Sequence, residues 1–127
     1  MKDIRDIFEL VDGLLPSMAK KTVFFCEIEE SAYEIFYYTY FKDNSCKQCY
    51  ELAEEGMVDE RTLDAGFEKI ADFIRKADFF DAEKRNVITL SIKGMNETVN
   101  IDQFDKDVGL YKIKKDWKSN YNANISE

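Results

Sequence analysis

The sequence predicts an α+β domain: an antiparallel sheet of four to five strands flanked by about three helices, in the order α-β-β-(β)-α-β-β-α. Three observations lead there. The stretch 22–41, TVFFCEIEESAYEIFYYTYF, packs eight of the chain's seventeen Phe and Tyr residues into twenty positions. Side chains of this kind fit a pleated, half-buried surface. A second pair of alternating runs, 86–92 and 98–104, is divided by a turn around Gly94. Amphipathic segments with helical spacing lie before, between and after the two pairs. At 127 residues the chain is expected to form one domain, with about the last six residues frayed.

Taken in order, residues 2–15 read as a helix, because Ile4, Ile7, Phe8, Val11, Leu14 and Leu15 fall on one face and Pro16 ends the run. Strands are expected at about 21–29 and 32–41, turning at Glu29-Glu30-Ser31-Ala32. Lys42-Asp43-Asn44-Ser45 makes a second turn, and 46–52 forms a short third strand. Asp59 then caps a helix running to about Ala77, with Leu63, Phe67, Ile70, Ile74 and Ala77 as its core stripe. Asp78 to Arg85 reads as a loop. The second hairpin turns at Lys93-Gly94-Met95-Asn96, and a last helix near 109–121 carries Leu110, Ile113, Trp117 and Tyr121 inward and four lysines outward. Helices between and after two hairpins suggest a sheet covered on one face.

Charge is unevenly placed. From Glu27 to Glu60 ten acids stand against Lys42 and Lys47, so this window carries the whole net charge of −8. Such a field repels nucleic acid and attracts cationic surfaces. No apolar run is long enough for a membrane span. The charged N-terminus does not read as a signal peptide, and three cysteines, an odd number, point to a reducing compartment, the cytoplasm.

Little in the chain suggests catalysis. Histidine is absent, which removes the commonest general base and metal ligand. Cys46-Lys47-Gln48-Cys49 is a CxxC with only Cys26 as a further thiol, and it reads as two small residues on an edge strand. No cofactor or metal is expected. Asp102, Asp105 and Asp107 are the best local carboxylate group, yet no motif surrounds them. The aromatics are more telling: Tyr33, Tyr37, Tyr38 and Tyr40 beside Glu29, Glu30 and Glu34 would form an acidic, tyrosine-rich patch, continued by Glu51, Glu54 and Glu55. The alternative is a sheet covered on both sides by its own helices.

The whole pattern resembles the YezG-type immunity proteins of bacterial polymorphic toxin systems, and the small acidic immunity proteins of contact-dependent growth inhibition. The residues that carry the likeness are the N-terminal amphipathic helix, Val23-Phe24-Phe25 followed by Ile35-Phe36-Tyr37-Tyr38, and the long helix. Leu90-Ser91-Ile92-Lys93-Gly94, Asn100-Ile101-Asp102-Gln103-Phe104-Asp105 and Trp117-Lys118-Ser119-Asn120-Tyr121 complete it. The CxxC and the basic last helix depart from that pattern. The resemblance implies a non-enzymatic cytoplasmic inhibitor that binds the C-terminal domain of a cognate toxin, often a nuclease, and needs neither nucleic acid nor membrane. Two other readings stay open on the residues alone: an adaptor for an unrelated protein, and a carboxylate-dependent enzyme with Asp102, Asp105 and Asp107 at its centre.

Overall fold

The computed structural model describes residues 3–121. One open antiparallel sheet of five strands has the order β3-β2-β1-β4-β5. The strands are β1 (Lys21–Ile28), β2 (Tyr33–Tyr40), β3 (Cys46–Gln48), β4 (Lys84–Lys93) and β5 (Asn96–Asp105). The helices are α1 (Ile7–Asp12), preceded by a 3-10 turn at Ile4–Asp6, then α2 (Cys49–Glu54), α3 (Glu60–Arg75) and α4 (Leu110–Tyr121). The expected starts and ends at residues 2 and 122–127 lie outside the described residues.

β1 is the central strand, and every residue from Thr22 to Ile28 is buried. Alternation sends Phe24 and Tyr37 to one face and Phe25, Phe36 and Tyr38 to the other. On the first face α3 presents Phe67 edge-on to Phe24 and Tyr37 at 6.3 and 6.4 Å. There the Tyr37 hydroxyl donates to the Leu14 carbonyl, just beyond α1, at 2.6 Å. On the second face α4 lays Trp117 edge-on to Phe25 and Phe36 and stacks it on Tyr38. The Trp117 indole N–H donates to the Thr89 hydroxyl at 2.9 Å. The sheet is therefore covered on both faces, not one. An amphipathic helix with a narrow apolar stripe suffices, because the lysines of α4 keep their charged ends in water.

Local chemistry sets the boundaries. The Asp59 carboxylate caps α3 by accepting from the Thr62 N–H. Gly94, at φ +61, supplies the left-handed first position of a two-residue β4–β5 turn. The stretch 46–52 departs from expectation: only Cys46–Gln48 are strand, and Cys49 already opens α2. Gln48 and Glu51 form a capping box there, satisfying backbone donors that a strand would have paired. Lys84 and Arg85, expected in a loop, belong to β4. Asn86 is fully buried at the mouth of that loop and holds it shut. Its amide donates to the Ile28, Asp81 and Lys84 carbonyls and accepts from the Asp81 N–H and the Gln103 side chain.

Candidate functional site

β3 reaches only Tyr38–Tyr40, so among the described residues the outer edge of β2 from Tyr33 to Tyr37 has no neighbouring strand. A groove of about 280 Å³ runs along it toward α2 and α3, lined by Tyr33, Glu34, Ile35, Gln48, Tyr50 and Asp64. Tyr33 and Tyr50 are 40% and 36% exposed. The Tyr50 hydroxyl faces the Asp64 carboxylate at 3.4 Å, and its ring sits edge-on to buried Phe67. The Arg75 guanidinium lies 5.9 Å from the centre of the Tyr33 ring. That arginine also donates to the Glu29 and Ala32 carbonyls, pinning the β1–β2 turn to the end of α3. Burial pushes both hydroxyls up: Tyr50 to about 12, with Cys49 and then Asp64 adding to it, and Tyr33 with help from Glu68 and Asp64. Both remain hydrogen-bond donors at neutral pH.

The flank of α3 beside this groove is a ladder of acids. Glu60, Asp64, Glu68 and Asp72 are all exposed and recur every fourth residue, hence on one side of the helix. Like charges at that spacing each cost roughly 0.2–0.5 kcal/mol in an isolated helix. Arg75 already meets Asp72 at 3.4 Å, and a cation laid along Glu60, Asp64 and Glu68 would relieve the rest of that cost.

The expected patch is only partly at the surface. Tyr37 and Tyr38 are core residues on opposite faces, because consecutive residues of a strand cannot share a face and both faces are covered. Tyr40 is half-buried at the other end of β2, with Lys21 5.7 Å from its ring, and burial followed by Cys46 pushes its hydroxyl to about 12. Among the acids, Glu34 pairs with Lys114 of α4 at 2.6 Å, Glu29 with Arg85 at 3.0 Å, and Glu55 with Lys47 at 2.6 Å. Glu51 accepts from the Gln48 N–H as part of the α2 cap, whereas Glu30 and Glu54 are exposed. Tyr50, Asp64, Glu68 and Asp72, which the sequence reading passed over, complete the site. The four-residue spacing of acids on α3 was the available signal for three of them.

Beside the hairpin, on the α4 face, sits a buried acid. Glu27 is 1% exposed, and its Oε2 and the Arg85 Nε are buried polar atoms without hydrogen-bond partners among the described residues. Arg85 lies 3.9 Å from Glu27 but 3.0 Å from Glu29, so its charge is spent mainly on Glu29. Desolvation, reinforced by the Glu29 carboxylate, outweighs Arg85 and raises Glu27 to about 8. The carboxyl is protonated at neutral pH.

Other chemistry finds less support in the geometry. Burial raises all three thiols, Cys49 to about 11, so none is poised as a thiolate nucleophile. Asp102 and Asp105 lie opposite Val87 and Lys84, positions of opposite parity, and so point to different faces of β5. Asp105 is paired with Lys84. Among the described residues no group of three or more Cys, Asp or Glu side chains is placed to hold a metal. No described helix is long and apolar enough to cross a membrane. No family model matches the chain, and no curated protein matches it.

Proposed function

We propose that this protein is a non-enzymatic cytoplasmic inhibitor that binds a cationic protein domain stoichiometrically, as an immunity protein binds its cognate toxin. The observation that carries the reading is the α3 acid ladder beside a groove flanked by two exposed tyrosines. Tyrosine gives a large contact area at small entropy cost, and acids steer an oppositely charged partner into register. A nuclease fits this description, since its active site must hold phosphates and is cationic. Carboxylates of the ladder would then stand where phosphates stand, blocking the site without any chemistry.

The test is a binding and inhibition assay on a basic partner domain recovered with the protein. In the variant Asp64→Asn/Glu68→Gln/Asp72→Asn, association should slow by about tenfold or more and its salt dependence should flatten. Tyr33→Ala/Tyr50→Ala should instead accelerate dissociation, each ring being worth about 1–2 kcal/mol at an interface centre. Unchanged kinetics in both variants, with the fold intact by circular dichroism, would place the contact elsewhere.

A further inference from the structure

The opposite edge of the sheet has a different character. β5 runs for ten residues in unbroken register against β4, without bulge or proline, and its only charges are the acids Glu97, Asp102 and Asp105. Natural edges are usually blunted by one of those devices, or kept short, as β3 is.

Which backbone groups face outward follows from the turn. Lys93 and Asn96 close a two-residue hairpin and exchange hydrogen bonds, and such pairs alternate with non-bonded ones along the ladder. Glu97, Val99, Ile101, Gln103 and Asp105 therefore turn their N–H and C=O away from β4. Two contacts agree with that parity. The Arg5 side chain reaches the Glu97 carbonyl at 3.3 Å, and the Val108 N–H bonds the Asp105 carbonyl at 3.0 Å. These close the two ends of the edge. Among the described residues the groups of Val99, Ile101 and Gln103 lie open between them, and Ile101, at their centre, is a 38% exposed apolar side chain.

We infer that this edge pairs with the same edge of a second copy of the chain, antiparallel and centred on Ile101, making one sheet twice as wide. Centring on Ile101 sets Ile101 against its own counterpart and Val99 against Gln103, so every open donor meets an open acceptor. The charges are compatible with that register as well. Asp102 falls opposite Asn100, an amide facing a carboxylate, and between Thr98 and Phe104 no acid faces another acid. At the ends Glu97 falls opposite Asp105, whose charge is already met by Lys84. Moving the centre by two residues either way would set Ile101 against Glu97 or Asp105. This pairing is independent of the acidic groove, which lies at the other edge of the sheet.

Sedimentation velocity, with hydrogen exchange over a concentration series, tests it. The chain should reach twice its monomer mass as concentration rises, and added salt should favour this, since each copy carries −8. The amides of Val99, Ile101 and Gln103 should exchange at least about tenfold more slowly in the dimer, while those of Asn100 and Asp102, bonded to β4, should not change. Ile101→Pro removes an outward donor and leaves the β4 ladder intact, so it should yield a folded monomer. Ile101→Lys should do the same by charge, should the proline disturb the strand. A chain that stays monomeric throughout, or a dimer unaffected by either folded variant, overturns the inference.

Discussion

Glu27 shows how one residue can make stability depend on pH. Its ordinary carboxylate value applies when the chain is unfolded, but the fold raises it to about 8. Between those limits the native state holds a proton that the unfolded chain has released. Stability from this group is therefore complete at low pH and is lost as pH rises through 8. Glu27→Gln, which supplies a permanent neutral donor, should come closest to the wild type below the ordinary carboxylate value and gain on it as pH rises toward 8, by about 1–3 kcal/mol between pH 6 and pH 9. Urea titrations at the two pH values would show it; parallel pH profiles would mean that Glu27 is ionised throughout. The strand alternation visible in the sequence already placed Glu27 beside Val23 and Phe25. What it could not show was that α4 would close over that face and that Arg85 would turn to Glu29. Tyr38 was misjudged for the same cause, since a tyrosine on a covered face looks identical in sequence to one on an open face.

At the level of elements, α4 is the segment on which the second face depends. Of the stripe that the sequence turns inward, it buries Ile113 and Trp117, and it is lysine-rich elsewhere. Trp117→Ala should cost about 3–5 kcal/mol, close to the loss expected for any large core aromatic. Trp117→Phe should cost less, losing chiefly the bond to Thr89. Equilibrium denaturation separates these outcomes, and a loss under about 1 kcal/mol for the alanine would mean that α4 is not integral to the fold. The long helix and both hairpins were legible because their patterns extend over many residues. The strand-to-helix change at Cys49 was not, because three residues of strand carry no period. There the capping pair Gln48 and Glu51 is the feature of the sequence that marks a helix start.

For the whole molecule, the net charge of −8 proves less simple than its position in the sequence suggests. Glu27 is neutral at pH 7, Glu29, Glu34 and Glu55 have cationic partners, and the ladder on α3 extends the acidic field past the window that the sequence marked out. Salt should consequently act in opposite directions at the two edges of the sheet. It should weaken capture of a cationic partner along α3 and strengthen pairing of two acidic copies at β5. One titration followed by both readouts would separate the two surfaces.

The strand order also divides the molecule by history of the chain. Everything up to α3 builds β3, β2 and β1 with the covering of one face, and everything after it builds β4, β5 and the covering of the other. The two portions meet along the β1–β4 seam, Thr22–Ile28 against Asn86–Ile92, and through Trp117, which rests on Phe25 and Phe36. A peptide ending at Ala77 and another beginning at Asp78 are each the missing half of the other's interior. Made separately, they should be largely unstructured, and on mixing they should assemble one-to-one, with the fluorescence of the lone tryptophan reporting the event. A protein arranged in this way can be divided into a pair of tags whose reunion marks the meeting of whatever they are fused to.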